Sequence, residues 1–189
     1  PGLHLKLENL QRTHSFKVRG AFSRMLQLKE KGDKRRILTV SAGNFGQAVA
    51  YAASVLNVSC TVVVPAVAPK AKIEAISRYP VELLIKGKNF DEAEVQTLKM
   101  SENADKWVFL SPYNDRDVIL GYGTLALELI EDGMEINEIL VPIGGGGLAA
   151  GVAAAMKQLN PAVRIVGVQA EASAAIYESL KVGKLIKIP

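Results

Sequence analysis

Four consecutive glycines, Gly144, Gly145, Gly146 and Gly147, precede Leu148 between an apolar run and an Ala-rich stretch. Consecutive glycines let the backbone turn tightly and direct several N–H groups into one concavity. A helix that begins there adds the positive end of its dipole, so such a turn suits a phosphate group. The spacing matches neither common nucleotide-binding motif, GxGxxG or GxxxxGK followed by Ser or Thr. A merely tight strand-to-helix turn is the alternative, but a plain turn rarely needs four glycines, and the phosphate site is favoured.

A second loop, Ser41-Ala42-Gly43-Asn44-Phe45, also lies between an apolar run and an Ala-rich stretch. The side chains of Ser41 and Asn44, with the backbone amides of the turn, can hold a carboxylate at the N-terminus of the next helix. In the alternative interpretation, Asn44 only caps that helix and the glycines allow it to pack closely. The residues by themselves favour neither interpretation.

Lys17 is the third candidate, because its neighbours Phe16 and Val18 are apolar and a helix is predicted to begin beside it. A helix N-terminus disfavours a cation, and partial desolvation lowers the pKa of a lysine further. The neutral amine that results can act as a nucleophile or as a base. The alternative is an ordinary solvated charge, since Lys17 is one of 23 basic residues.

The N-terminal part of the chain predicts a strand and then a helix. Leu3, Leu5 and Leu7 alternate with polar residues, which is typical of a half-exposed strand. After them the apolar spacing becomes helical, with Ser15 as the expected N-cap and Gly32 as the expected end of the helix.

Beyond residue 36, short apolar runs alternate with helical stretches. The runs comprise residues 37–40, 59–64, 81–85, 107–110, 138–143 and 163–169. The helical stretches comprise residues 45–56, 69–79, 90–104, 117–132, 147–159 and a last one near 173–182. Because the runs are rich in Val and Ile with little polar alternation, they indicate parallel strands covered on both faces. The predicted fold class is therefore α/β, doubly wound.

Composition limits the possible classes of protein. Of 189 residues, 49% are hydrophobic and 22% are charged, which excludes a disordered chain. A single cysteine excludes a disulfide framework and fits a reducing compartment, so the cytoplasm is expected.

The net charge of +4 is unevenly distributed, because residues 1–36 contain ten Lys or Arg against three Asp or Glu. That basic segment lacks interleaved aromatic residues and a known nucleic-acid motif, so nucleic acid is not expected as a partner. No apolar run reaches the roughly 18 residues of a membrane span, so a membrane is not expected as a partner either.

Together the three motifs resemble the fold-type II pyridoxal-phosphate enzymes, specifically the threonine/serine dehydratase (threonine ammonia-lyase) and serine racemase group. The resemblance also includes residues 6–13, 111–113 and 121–124, and it extends over nearly the whole chain. It implies two doubly wound parallel-sheet domains of the tryptophan synthase β type. Residues 36–115 would form a small mobile domain, and residues 1–35 with 116–189 would form part of a larger cofactor domain. Against this family the chain is expected to be truncated at both ends.

The resemblance implies pyridoxal 5'-phosphate as cofactor and β-elimination of threonine or serine to a 2-oxo acid and ammonia. Lys17 would hold the cofactor as a Schiff base and remove the Cα proton, Phe16 would pack on the pyridine ring, and Asn44 would bind its phenolic oxygen. The phosphate would be held by Gly144, Gly145, Gly146, Gly147 and Leu148, and the substrate would be bound by Ser41, Ala42, Gly43, Asn44 and Phe45.

The resemblance also implies a cytoplasmic homodimer or homotetramer in amino-acid metabolism, with isoleucine biosynthesis as the expected pathway.

The family offers serine racemisation, or the reaction of another fold-type II pyridoxal-phosphate lyase, as an alternative. Its racemases have a second serine where this chain has Ala42, which supplies no proton donor for the opposite face of Cα. The positions that match their metal ligands are Gln169, Ser173 and Ala175, so two carboxylates are missing and no divalent metal is expected. A further alternative is a non-catalytic module that binds pyridoxal phosphate or a nucleotide.

The chain departs from the family pattern at three other positions. His14 stands where glycine is usual, and it would be strained if that backbone takes a positive φ. A tolerated loop residue is the alternative there. Phe45 replaces a histidine and Tyr122 a glutamine, and both substitutions are expected to reshape the substrate pocket rather than to change the type of reaction.

Overall fold

The computed structural model describes residues 2–186, and its chain divides into two compact units. The first unit ends at Ser111 and the second begins at Pro112. The grouping of residues 1–35 with 116–189 in one domain stays a prediction.

The first unit is built around a four-stranded parallel sheet with strand order β3-β2-β1-β4. Its strands are β1 (Arg36–Val40), β2 (Cys60–Val64), β3 (Glu82–Ile85) and β4 (Trp107–Phe109). Its helices are α1 (Lys17–Glu30), α2 (Asn44–Leu56), α3 (Lys70–Ser77) and α4 (Phe90–Ser101). A short 3-10 helix (Glu8–Leu10) precedes α1.

The central strands of this sheet are buried on both faces, as expected of a doubly wound fold. All five residues of β2 are buried, and so are four of the five in β1. On one face, Leu38, Val40 and Val63 pack with Ala93 of α4 and with Trp107. Alternation along a strand places their neighbours on the other face, where α2 contacts β1 and β2.

Helix α1 packs against α2 through the residues whose spacing is helical in the sequence. Val18, Ala21, Met25 and Leu28 are buried, and the helix ends before Gly32, whose φ of +68° turns the chain away. The expected helix end is thus confirmed.

The described part of the second unit contains a two-stranded parallel sheet and three α-helices. Its strands are β5 (Glu138–Pro142) and β6 (Arg164–Val168), and its helices are α5 (Arg116–Glu131), α6 (Gly147–Leu159) and α7 (Ala175–Val182). Helices α5 and α6 cross closely at Gly151, where an added Cβ would lie 2.3 Å from the carbonyl oxygen of Ile119. This close crossing positions the N-terminus of α6.

The predicted alternation of strands and helices is confirmed, with boundaries that differ by only a few residues. The strand predicted at Leu3, Leu5 and Leu7 is wrong. Residues 2–7 have no regular structure and pair with no strand in the described part of the chain, and the three side chains are 82%, 75% and 52% exposed. Alternation alone does not make a strand, because the backbone also needs a partner for its hydrogen bonds. No helix within residues 2–186 is long and apolar enough to cross a membrane.

Candidate functional site

In the first unit, the loop of residues 41–45 lies where open α/β sheets bind ligands. The chain runs outwards from β1 to β3 and then returns to place β4 on the other side of β1. Ligands bind beyond the carboxyl ends of the strands at such a reversal of strand order. The loop follows the carboxyl end of β1 directly, and its last two residues, Asn44 and Phe45, begin α2.

The hydroxyl of Ser41 organises this loop. Its Oγ accepts a hydrogen bond from the N–H of Gly43 at 3.1 Å, and Gly43 is the N-cap of α2 without a side-chain capping bond. Asn44 is the first helical residue and is exposed, so the interpretation that its side chain caps the helix is wrong. The close packing expected from the glycines is confirmed at Gly46, where an added Cβ would lie 2.1 Å from the carbonyl oxygen of Ser41.

Lys17 begins α1, and its amine lies near two aromatic rings. Its Nζ is 4.6 Å from the ring centroid of Phe16 and 6.0 Å from that of Phe45, which is only 2% exposed in the first turn of α2. Burial lowers the pKa of Lys17 to about 8. The expected direction of the shift is therefore seen, and a substantial fraction of this amine is neutral near pH 8.

The segment before Lys17 is held by an ion pair that the sequence pattern does not predict. Arg19 donates from Nε to Oε2 of Glu8 and from Nη2 to Oε1, each at 2.8 Å, and the two side chains are only 8% and 15% exposed. Gln11 also approaches this carboxylate, at 3.5 Å. The signal available in the sequence was weak, because a Glu and an Arg eleven positions apart have no regular spacing.

His14 takes a φ of +55°, and its N–H donates to the carbonyl oxygen of Gln11 at 2.7 Å. The condition for strain, a positive φ at His14, is therefore met. A residue with a side chain is disfavoured in this left-handed region. Ser15 is buried and is not the N-cap, because α1 begins at Lys17 with Phe16 before it and without a side-chain cap.

Two buried hydroxyls flank His14. Thr13 is fully buried and Ser15 is 7% exposed, and neither Oγ1 of Thr13 nor Oγ of Ser15 has a hydrogen-bond partner among the described residues. Buried hydroxyls are nearly always hydrogen-bonded in folded proteins. Unsatisfied hydroxyls on both sides of His14, just before Lys17, indicate that a polar ligand belongs near this segment.

In the second unit, the glycine tetrad forms a tight cradle at the N-terminus of α6. Gly146 has a φ of +87° and is the N-cap, a conformation that glycine adopts without strain. An added Cβ would lie 2.8 Å from the ring of Tyr113 at Gly145, and 2.7 Å from the carbonyl oxygen of Pro112 at Gly147. The first N–H groups of α6 have no partner within the helix and so are available to an anion.

Tyr122 supports this cradle, which the sequence did not show. It is fully buried, its hydroxyl donates to the carbonyl oxygen of Pro112 at 3.2 Å, and its ring is 3.3 Å from the Cβ position of Gly147. Burial raises the pKa of the Tyr122 hydroxyl. Leu148 is also buried, in the first turn of α6. These contacts hold the backbone of the tetrad in place.

The positions that match the racemase metal ligands have another role in this structure. Oε1 of Gln169 accepts a hydrogen bond from the N–H of Tyr177 at 2.9 Å, and its Nε2 approaches the carbonyl oxygen of Ser173 at 3.5 Å. Gln169 thereby joins β6 to the start of α7.

The residues present fit pyridoxal phosphate. A partly neutral amine packed on an aromatic ring suits an aldehyde on a planar aromatic group. The glycine cradle, with N–H groups at the start of a helix, suits a phosphate. The unsatisfied hydroxyls of Thr13 and Ser15 provide further donors. The first unit thus offers an amine that suits the aldehyde, and the second unit offers N–H donors that suit a phosphate.

A family model described as "Pyridoxal-phosphate dependent enzyme" matches residues 1–189. The chain is 40% identical to the L-threonine ammonia-lyase of Thermotoga maritima over 186 residues, 98% of this chain and 46% of that protein. It is 41% identical to the catabolic L-threonine dehydratase TdcB of Escherichia coli over 169 residues, 89% of this chain and 51% of that protein. The chain thus spans about half the length of the curated relatives it matches.

Solved structures are similar over almost the entire chain. The processed form of threonine deaminase isoform 2 from Solanum lycopersicum has a TM-score of 0.90 at 38% identity, covering 97% of this chain and 53% of that one. Maize serine racemase has the same TM-score at 34% identity, and the match covers 97% of this chain and 56% of the racemase chain. The expected fold type is confirmed. With its amine, its glycine cradle and a family match from the first residue to the last, the chain belongs to the pyridoxal-phosphate-dependent enzymes.

Proposed function

We propose that this protein catalyses the β-elimination of threonine or serine, releasing a 2-oxo acid and ammonia. The observation that carries the proposal is the amine of Lys17, which lies against the ring of Phe16 with its pKa lowered to about 8. The names of the relatives support the same reaction, because the two cited above are a threonine ammonia-lyase and a threonine dehydratase.

Lys17 acts as the residue that binds the cofactor and as the base. Pyridoxal phosphate, when bound, supplies the electron sink that makes the Cα proton of an amino acid removable. The amine of Lys17 accepts that proton, which requires its neutral form. Phe16 and Phe45 restrict the access of water to the amine, and this keeps its pKa low.

The loop of residues 41–45 binds the substrate carboxylate. Because Ser41 accepts its hydrogen bond from Gly43, its own O–H proton remains for donation to the substrate. The first N–H groups of α2 add donors and the positive end of the helix dipole. Asn44 is exposed at this helix start, where its amide can donate to the phenolic oxygen of the cofactor. In the second unit, residues 144–148 bind the phosphate.

Ala42 favours elimination over racemisation, because its side chain has no hydroxyl. Racemisation needs a second proton donor on the face of Cα opposite Lys17, and alanine provides none. Gln169 and Ser173 hydrogen-bond within their own segment and supply no carboxylate, which supports a metal-independent reaction.

The proposal is tested with the purified protein and the variant Lys17→Ala. After incubation with pyridoxal phosphate and reduction with borohydride, mass spectrometry of the tryptic peptides should find the pyridoxyl mass on Lys17. Threonine should yield 2-oxobutanoate, and no D-serine should form from L-serine. Lys31→Ala, at the exposed end of α1, serves as the matched control.

Four outcomes would count against the proposal. A pyridoxyl mass elsewhere, or 2-oxobutanoate from Lys17→Ala, would exclude Lys17 as the reacting amine. Formation of D-serine would favour the racemase. A normal adduct on Lys17 without turnover would indicate a binding module.

We further propose a homodimer or homotetramer that acts in the cytoplasm. Leu3, Leu5, Leu7 and Leu10 are each more than half exposed, which is unusual for neighbouring leucines and suits a protein–protein contact. Light scattering tests the oligomeric state. Isoleucine biosynthesis stays a prediction, tested by whether the gene restores growth without isoleucine to a strain lacking threonine deaminase.

A further inference from the structure

A cleft of about 910 Å³ opens in the first unit, and none of the residues that line it is assigned to the reaction. It lies beside the amino ends of β1 and β4, the edge strand β3 and the last turn of α4. Its apolar lining comes from Leu84, Met100 and Trp107. The loop of residues 41–45 is at the opposite end of β1, roughly 13 Å away for a strand of this length.

Cationic side chains surround this apolar lining. Five of them line the cleft against two carboxylates, Glu82 and Asp105. The cations are Lys34, Arg35, Arg36, Lys86 and Lys106. Even when Asp33, the partner of Arg35, is counted as well, the positive charges exceed the negative ones by two.

The two arginines are held in place by their own partners. Arg36 donates from Nη1 to Oε2 of Glu82 at 2.6 Å, and the same oxygen accepts from Oγ1 of Thr61 at 2.7 Å. Arg35 binds Asp33 and also donates from Nη1 to the carbonyl oxygen of Ala104 at 2.9 Å. These contacts fix the guanidinium groups and engage the carboxylates of Glu82 and Asp33.

The lysines provide the excess charge. Nζ of Lys106 lies 4.7 Å from the ring centroid of Trp107, and the carbonyl oxygen of Lys106 accepts a hydrogen bond from the N–H of Arg36 at 3.0 Å. Lys86 follows β3, on the same side of that strand as Leu84, because side chains alternate along a strand. Both lysines thus border the apolar lining.

We propose that this cleft binds an amphipathic anion, a phosphate or similar oxyanion joined to a planar apolar group. The planar part lies on Leu84 and Met100 beside Trp107, which is only 8% exposed, and the oxyanion is bound by Lys86 and Lys106. A basic surface patch alone would attract any anion, whereas the apolar lining and the volume, which is that of a small-molecule site, select one with an apolar part.

Phenyl phosphate is the probe for this proposal, with inorganic phosphate and phenol as its separate parts. Trp107 is the only tryptophan, so its fluorescence reports binding in the cleft directly. The protein is first loaded with pyridoxal phosphate, to fill the phosphate site proposed at the glycine tetrad, and is then dialysed so that no unbound cofactor competes for the cleft. We expect phenyl phosphate to give a saturable change in the fluorescence of Trp107, with an affinity at least about tenfold above that of either part.

The double variant Lys86→Met and Lys106→Met should weaken the binding of phenyl phosphate by about tenfold or more, because each lysine contributes a charge-assisted hydrogen bond. The matched control, Lys31→Met and Lys72→Met, removes two exposed lysines outside the cleft and should leave the affinity unchanged. Arg36→Met is a second, single variant that should also weaken binding, because it leaves the carboxylate of Glu82 in the cleft without its cation.

Several results would overturn the proposal. These are an unchanged affinity in both cleft variants, equal binding of inorganic phosphate, and a fluorescence of Trp107 that does not respond to phenyl phosphate. None of them bears on Lys17, so the proposed reaction would stand or fall separately.

Discussion

The carboxylate of Glu8 and the guanidinium of Arg19 form a two-pronged ion pair, with both N···O distances at 2.8 Å and little exposure of either side chain. Glu8 precedes α1 and Arg19 lies in its first turn, two residues after Lys17. The pair therefore fastens the segment that contains Thr13 and Ser15 to the helix that presents the amine.

We expect Glu8→Ala to lower the free energy of unfolding by about 3 kcal/mol, because it leaves the guanidinium of Arg19 buried without its carboxylate. Urea denaturation measures this change. The exposed pair of Arg164 with Glu138 provides the control, since Arg164→Met should cost at most about 1 kcal/mol. A loss in Glu8→Ala no larger than in the control would show that the pair does not hold the segment.

The reactivity of Lys17 should depend on pH with a midpoint near 8. Burial lowers the pKa of its amine from the ordinary value of 10.5, so the neutral form becomes dominant as the pH rises through about 8. Labelling with acetic anhydride, followed by mass spectrometry of the Lys17 peptide, measures the neutral fraction in the protein without cofactor. A midpoint near 10.5 would contradict the burial of the amine.

The same shift has a consequence for stability. Between pH 8 and 10.5 the unfolded chain holds a proton on Lys17 that the folded chain has released, so the contribution of Lys17 to stability rises with pH across this window. Lys17→Met should reduce that rise in denaturation curves measured along the pH range. An identical pH dependence in the variant would argue against the shift.

Substitutions in the glycine tetrad should differ sharply in effect. Gly147→Ala should cost about 1–3 kcal/mol of stability, because its Cβ would lie 2.7 Å from the carbonyl oxygen of Pro112. Gly144→Ala should change the stability by less than about 0.5 kcal/mol, since a Cβ there meets nothing within 4 Å in the described structure. Thermal denaturation of both variants checks this order, which equal losses would contradict.

His14→Gly should raise the free energy of unfolding by about 1 kcal/mol, since glycine takes the φ of +55° without strain. Asn57 has a φ of +54° at the end of α2 and serves as a matched position. Asn57→Gly should raise the free energy of unfolding by less, because asparagine tolerates this conformation better than histidine. If His14→Gly destabilises the protein, the histidine side chain must make a contact that outweighs the strain.

Much of the fold was predictable because its signals are local. The apolar runs that became β1 and β2 and the helical spacing of Val18, Ala21 and Met25 depend on residues close together in the chain. The lowered pKa of Lys17 was predictable for the same reason, since Phe16 is its neighbour. The alternation at Leu3 and Leu5 predicted a strand that does not form. A strand also needs a partner strand, and the residues next to it in sequence do not show whether one is present.

By itself the sequence determined the order of the elements, the glycine turn before α6 and the amine at the start of α1. These follow from periodicity and from the conformations that each residue type allows. Only the tertiary structure decided that Phe45 lies beside Lys17, that Arg19 binds Glu8, and that Tyr122 supports Gly147. Such contacts join residues far apart in sequence, and they are set by how helices and strands pack rather than by local preference.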